Sequence, residues 1–418
     1  MATFFTKETL LQNTNFTNSV KSVYKTDLAD VANRYASLCE GLNEDVYLFS
    51  SPGRAELIGN HTDHNHGLVV ACSIDLDVAC AVNKREDNLI VIKSAGYEPF
   101  TVNVNELDVN VNEYGTTMAL VRGVVKGFIN KGYSVGGFTA HAHSTIFKGA
   151  GVSSSAAFEL LICEILNTLY NEGKVDFVQK AIISRFAENV YFGKPSGLMD
   201  QLTISRGGVS YMDFFNEVPF SENAPYNLEN LSLVIINCGG DHCNLTDEYS
   251  AIRYEMNEIA QYFDKDVLAK VKEEDFYASL PILKEKFTGR AILRAMHFFD
   301  ENNRVKDCVK ALKANDKNAF LNLITKSGIS SYTLLQNCYP SADVIQSVPL
   351  ALAIVSHKED TLAYRVHGGG FAGTILTFVD TEKADNYVKF ATEYFGKENV
   401  FCVNVRQKGA TYLTKLEK

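Results

Sequence analysis

The sequence predicts an α+β fold in two lobes, not a strict βαβ alternation, and three observations carry that reading. Short β-like runs at 46–49, 69–80, 89–93 and 137–143 come before two helical patterns. A polar stretch at 216–230, with Pro219, Pro225 and several Asn and Glu, reads as a long connection near the passage between lobes. The chain has 418 residues, enough to bury more than one core. In order, the helix expected over 154–171 repeats Phe158, Leu161, Ile162, Ile165 and Leu169 at i, i+3, i+4, i+7, a single buried stripe. The next, over 176–191, has the row Val178, Ile182, Phe186 and Val190, with Glu188 on another face beside Ala181 and Ser184. After the connection come a strand at 231–237, long helical patterns, and late strands at 351–354 and 374–379.

Composition excludes several classes. Hydrophobic residues make up 46% and charged residues 22%, the balance of a folded globular chain. The net charge of −10 has the wrong sign for a nucleic-acid or anionic-membrane binder, so an anionic ligand needs a local site. Nine cysteines at irregular spacing, without CxxC, read as reduced thiols. The start lacks a basic segment followed by an apolar core, and no run of about 18 apolar residues occurs, so a soluble cytoplasmic protein is expected. GxxxxGK[ST], HRD and DFG are all absent.

Four segments can carry chemistry. The run 148–157, KGAGVSSSAA, follows a strand and opens a helix; its glycines, hydroxyls and free first-turn N–H groups suit a phosphate cradle, and the same string also suits an ordinary turn with a Ser N-cap. The run 51–67, SPGRAELIGNHTDHNHG, is the densest polar cluster, read as a loop between β runs. Its histidines and Asp could hold a metal, but no second His/Cys cluster complements them and His141-x-His143 reads as a strand's solvent-facing pair, so short donors and acceptors for a polar substrate fit better. The run 193–201, GKPSGLMDQ, is a turn in which Asp200 alone reads as an N-cap or a solvated carboxylate. The run 364–374, YRVHGGGFAGT, requires positive φ or close backbone packing, as in a tight hairpin.

Together and in this order, the four segments resemble the galactokinase branch of the GHMP small-molecule kinases. Residues 52–67 are similar to its first motif, P-G-R-x-N-L-I-G-E-H-T-D-Y-N-x-G, residues 149–156 to G-x-G-[LV]-S-S-S-A, residues 197–201 to G-[IL]-M-D-Q, and residues 368–373 to G-G-G-F-G-G. The resemblance implies a two-lobed fold with a mixed N-terminal sheet (1–205), a C-terminal α+β lobe (206–418) and a cleft between them. It implies transfer of the γ-phosphoryl of ATP to a sugar C1 hydroxyl, galactose first. Asp200 is then the catalytic carboxylate and Arg54 its cationic partner. Gly149, Gly151, Val152, Ser153, Ser154 and Ser155 would wrap the phosphates, Ser155 and Glu188 would hold Mg²⁺, and Asn60, His61, Asp63, Gly197 and Tyr249 would meet the sugar. Gly369, Gly370 and Phe371 would support the third motif. This chain has Asn60 where the family has Glu, His64 where it has Tyr, Ala372 where it has Gly, and a longer Tyr249–Arg253 spacing. The departures bear on which sugar is used. A kinase for N-acetylgalactosamine, arabinose or a uronic acid, and a non-catalytic sugar and ATP sensor, are the other readings. Partners are small molecules; the sequence is silent on oligomeric state, and a monomer is compatible with it.

Overall fold

A computed structural model describes residues 5–43, 45–146, 151–194, 196–239, 245–340, 343–371 and 373–417. Its longest strands carry the first motif. Strand β1 (Val46–Ile58) continues through Pro52, Gly53 and Arg54, so 51–58 is not the loop that its turn-forming residues suggested. It is buried almost throughout, and its antiparallel neighbour β2 (Leu68–Lys84) absorbs the irregular spots with register shifts after Pro52 and Glu56. Only 59–67 turns.

The remaining strands are β3 (Leu89–Ser94), β4 (Phe100–Asn103), β5 (Phe138–Ser144), β6 (Val209–Asp213), β7 (Phe220–Ala224), β8 (Leu231–Asn237), β9 (Ala363–Val366), β10 (Thr374–Asp380), β11 (Val400–Val403) and β12 (Thr411–Leu416). One mixed sheet runs β12-β1-β2-β5-β3-β4, with β6 on β2 and β7 on β6; the other runs β11-β8-β10-β9. This is the two-lobed α+β architecture expected. The stretch 216–230 is not simply a connection, because β7 lies in it and pairs with β6. Its polar composition fits a half-exposed edge strand. With β6, β7 and β12 all in the first sheet, chain beyond residue 205 completes that sheet. The predicted strand at 351–354 is instead part of a helix, Ser347–Ser356, whose Val348, Ala351, Leu352 and Val355 pack on the second sheet at helical spacing. A four-residue apolar run cannot separate the two states.

The principal core fills the space between the first sheet and the helices Thr117–Asn130 and Ser154–Tyr170, and reaches Leu376 and Phe378 of the second sheet. A second core joins Thr246–Tyr262 to Gly289–Lys313. The N-terminal helices cover the outer face of β1, β2 and β12. His141 and His143 are therefore not a solvent-facing pair: His141 Nδ1 lies 3.1 Å from the Leu38 carbonyl, and His143 Nδ1 accepts from Arg34 Nε at 3.0 Å.

That cover is pinned by a fully buried carboxylate, Asp77 of β2. Arg34 Nη1 binds it at 2.6 Å, Arg406 stands 3.6 Å away, and the hydroxyls of Tyr24 and Ser50 donate to it. Burial pushes the Asp77 carboxyl up, but the two guanidinium groups and the hydroxyls outweigh it and hold it below the ordinary value. Removing the carboxylate strands Arg406, itself buried. Asp77→Ala is expected to lower the unfolding free energy by about 3–5 kcal/mol, measured by urea denaturation; a change below about 1 kcal/mol would show that the cluster does not pin the N-terminal helices.

Candidate active site

Arg54 leaves β1 almost fully buried and grips Asp200 with two parallel hydrogen bonds, Nε to Oδ1 at 2.6 Å and Nη2 to Oδ2 at 2.8 Å. Its Nη1 donates to the Gly151 carbonyl at 2.5 Å and its backbone N–H to the Val152 carbonyl at 3.1 Å. The strand thus holds both the carboxylate and the glycine-rich loop. Asp200 sits in the first turn of the helix Met199–Arg206, with its side chain about a quarter exposed. Burial raises its pKa; the Arg54 charge and hydrogen bonds, then Ser153 and Lys194, outweigh that and hold the carboxyl below its ordinary range.

Ser153 decides between the two readings of the 148–157 segment. It is the N-cap of Ser154–Tyr170, yet it has φ +62 and makes no capping bond; its hydroxyl donates to Asp200 instead. The first-turn N–H groups of a 17-residue helix are therefore left without a side-chain cap beside Asp200. Ser154 is exposed and Ser155 half-buried at this end. Gly149 lies outside the described residues, as do Lys148, Ala150 and Ala372.

Glu188 does not continue the predicted helix. Phe177–Phe186 passes into a π-helical turn, Ala187–Tyr191, which carries the buried Glu188 toward Ser155. Glu188 accepts from Ser155 Oγ at 2.9 Å, Lys194 Nζ at 3.1 Å, Ser196 Oγ at 2.7 Å and Gln201 Nε2 at 2.8 Å. Among the described residues no group of three or more His, Cys, Asp or Glu is arranged to hold a metal ion. A cation here would draw most of its ligands from phosphate and water, the habit of Mg²⁺, whose adjacent octahedral oxygens lie about 2.9 Å apart. The Ser155–Glu188 separation fits that edge, and the Lys194 ammonium on the same oxygen marks a place where positive charge is stable.

On the other side of Asp200 stand His61, Asp63, Gly197 and Tyr249. The turn 59–67 is held from below by the helix Gly289–Lys313: Glu301 accepts the N–H groups of Gly59 at 2.9 Å and Asn60 at 3.3 Å, His297 Nε2 meets the Asn60 carbonyl at 2.9 Å, and Asn302 accepts from Leu68 N–H at 2.7 Å. A Cβ on Gly197 would lie 2.0 Å from an Asp63 oxygen, so glycine lets the carboxylate reach the floor of the site. Burial, then the charges of Glu56 and Asp200, push Asp63 up to about 6. Burial brings His61 down to about 4, so it is neutral at pH 7. His61 stacks on Tyr249 at 6.5 Å, while the ring of Tyr249 meets Phe371 edge-on at 5.2 Å. Tyr249 OH donates to the Gly370 carbonyl at 3.0 Å, and a Cβ on Gly369 would strike its ring at 2.7 Å. The third motif is therefore the tip of the β9–β10 hairpin, as its glycines suggest, and its backbone is packed under an aromatic.

Asn60 stands apart. It is fully buried, with its side chain engaged by protein groups on all sides, beneath this cluster and not in its wall. Sequence reasoning passed over Lys194, Ser196, Gln201 and the buried Glu56, Glu159 and His367. Gln201 closes the G-[IL]-M-D-Q motif, and Glu159 is a charge inside an apolar helical stripe; both were visible signals. Burial, with the nearby Glu188 charge, raises Glu159 well above the ordinary range.

Fold and site together describe a small-molecule kinase scaffold, and comparison with known proteins agrees. Residues 37–84 match the galactokinase galactose-binding signature and residues 119–208 the GHMP kinases N terminal domain. A Clostridium perfringens protein named galactokinase is 32% identical over 83% of this chain and 89% of its own; one from Clostridium tetani is 29% identical over 84% and 88%. The crystal structure of Lactococcus lactis galactokinase complexed with galactose shares the fold at TM-score 0.79, with 24% identity, covering 92% of this chain and 100% of that one. The chain belongs to the GHMP kinase family. No helix among the described residues is long and apolar enough to cross a membrane.

The Arg54–Asp200 geometry sets a sign for pH. Because the folded-state pKa of Asp200 is depressed, the pair's contribution to stability is full above the unfolded value of about 3.9 and is lost as pH falls through the folded value. Carboxyl ¹³C titration is expected to find Asp200 ionised at pH 4 in the wild type and shifted upward in Arg54→Met, where burial acts unopposed by the guanidinium; equal values in the two proteins would contradict the assignment.

Proposed function

We propose that the protein transfers the γ-phosphoryl group of ATP to the C1 hydroxyl of a sugar, D-galactose in the first instance, giving the sugar 1-phosphate and ADP. The observation that carries this is the position of Asp200, gripped by Arg54 between an uncapped helix N-terminus and the polar cluster of His61, Asp63 and Tyr249. Phosphoryl transfer asks chiefly for positioning and charge stabilisation, and this site offers both. The names of the relatives above support galactose as the acceptor.

Asp200 lies where it can orient the sugar hydroxyl and accept its proton as the new O–P bond forms and the bond from Pγ to the β-phosphate bridging oxygen breaks. Arg54 keeps that carboxylate ionised beforehand and offsets charge on the transferred group. Residues 151–155 present N–H and hydroxyl donors to the phosphates, and Ser155 with Glu188 would hold Mg²⁺. When bound, Mg²⁺ neutralises charge shared by the β- and γ-phosphates. Asp63 and Nδ1 of neutral His61, whose Nε2–H donates to the Gly369 carbonyl, provide acceptors for sugar hydroxyls, with Tyr249 as an aromatic wall.

The substrate is tested by ADP release with Mg·ATP and galactose, N-acetylgalactosamine, arabinose, glucose or galacturonate, with the phosphorylated carbon assigned by ³¹P NMR. Galactose at C1 is expected to exceed the others by at least about tenfold in kcat/KM; preference for another sugar would replace galactose while leaving phosphoryl transfer in place, and ATP binding without turnover would mean a sensor. Asp200→Asn should lower kcat by about 10³-fold or more with the KM for ATP within about threefold. A variant keeping a tenth of wild-type kcat would remove Asp200 from the reaction. The KM for sugar should also rise as pH falls through about 6, where Asp63 gains a proton; a flat KM between pH 5 and 8 would separate Asp63 from the sugar.

A further inference from the structure

The amide of Asn60 has two donor and two acceptor positions, and all four are taken by protein. Nδ2 donates to Glu56 Oε1 at 3.0 Å and to the Gly368 carbonyl at 2.7 Å; Oδ1 accepts from Asn337 Nδ2 at 2.8 Å and Ser331 Oγ at 3.2 Å. Glu56, four residues earlier on β1, is likewise buried, and the same Oε1 accepts from Arg365 Nη2 at 3.0 Å. Arg365 is fully buried and spends Nη1 on the Leu57 carbonyl at 2.7 Å and Nε on that of Val366 at 2.9 Å. The pair needs one carboxylate and one amide, and a single change breaks it. A carboxylate at 60 would confront two acceptors, Glu56 and the Gly368 carbonyl, and an amide at 56 would leave Arg365 without its counter-charge.

The first motif as quoted above has Asn at the place of Glu56 and Glu at the place of Asn60. This chain carries the two side chains exchanged, and they touch. The exchange also reaches the site. Asn60 holds the Gly368 carbonyl; Asn337, bound to Asn60, also donates to the Gly369 carbonyl at 3.2 Å. That Gly369 carbonyl is 2.8 Å from His61 Nε2, and the next one, Gly370, takes the hydroxyl of Tyr249. One buried amide thus sets the row of carbonyls on which both rings are seated.

We propose that Glu56 and Asn60 act as one exchanged pair that positions the 368–370 backbone, and through it His61 and Tyr249, so that Asn60 governs sugar affinity without touching the sugar. This rests on the function proposed above. It makes Asn60 a positioning residue, and it predicts that the pair changes together or not at all.

The test is a double-mutant cycle of Asn60→Glu, Glu56→Asn and the double exchange, read by Tm without ligands, by calorimetric galactose binding, and by KM against kcat. Asn60→Glu alone is expected to weaken galactose binding and raise its KM by at least about tenfold, with kcat and the KM for ATP changed less than about threefold, and to lower Tm by several degrees. The double exchange should recover most of both losses. If Asn60→Glu does not fold, Asn60→Asp, of the same shape, gives the same comparison alone and with Glu56→Gln. Additive losses in the double variants, or a single variant with unchanged Tm and galactose KM, would overturn the proposal. Should the wild-type protein phosphorylate no sugar, the proposed function falls, while the Tm cycle still decides the pair.

Discussion

The buried ion pair between Arg54 and Asp200 is the interaction on which the other features of the site depend. Neither partner is placed by local structure alone: Arg54 is on a strand, Asp200 in the first turn of a helix 146 residues later in the chain. Taking both charges out of water is costly, and two parallel hydrogen bonds within the pair and further ones to the loop offset that cost. Arg54 spends its third arm on the Gly151 carbonyl, and Asp200 takes the Ser153 hydroxyl. Those same bonds shape the loop. Ser153 is drawn away from capping its helix, and the helix N-terminus is left without a side-chain cap at the spot where a carboxylate stays ionised.

The second lobe contributes by clamping, not by adding a reactive group. Helix Gly289–Lys313 binds the backbone of the first motif through Glu301 and His297. Burial raises the Glu301 carboxyl, but His297, Arg304 and Arg365 outweigh it and bring it to about 2, so Glu301 stays ionised at neutral pH. Gly369 leaves room for the ring of Tyr249, and Gly370 lets the backbone close on Asn337. Buried polar networks of this kind rigidify a site, and Asn60, with all four amide positions filled, is the member shared by the first motif, the third motif and the clamp.

Much of this was legible in the sequence. Arg54, Asp200 and Ser155 stand out because they lie in motifs of fixed spacing, Glu188 because it shares a helix face with small residues, and Tyr249 only through the family resemblance, from which its spacing to Arg253 departs; the structure joins Arg54 to Asp200 and Ser155 to Glu188. Strand 231–237 and the helix after Ser153 are readable from their apolar patterns, but that helix is buried on nearly every face from Ala156 to Asn167, not along the single stripe expected, and Phe158 and Leu169 of that stripe are only half-buried. The failures have separate causes. Strand β1 was cut short because Pro52, Gly53 and Arg54 look like turn residues, whereas their burial comes from long-range packing. The apolar run 351–354 reads as a strand although it lies inside the helix Ser347–Ser356, and β7 has no apolar signal because an edge strand can be polar. The π-turn at Glu188 has no sequence signature, since one extra residue per turn is set by tertiary contacts. The seat of Asn60 depends on Asn337 and Gly368, about 300 residues distant, and no local pattern contains that.

The central claim is that Asp200 stands between sugar and phosphates with Arg54 still holding it. A crystal structure with galactose and a non-hydrolysable ATP analogue tests this most directly. The expected complex has the C1 hydroxyl within hydrogen-bond reach of Asp200, the phosphates against the N–H groups of residues 153–155, and both Arg54–Asp200 bonds retained. A sugar seated with C1 turned away from Asp200, or an Arg54 that releases Asp200 when the ligands bind, would contradict it.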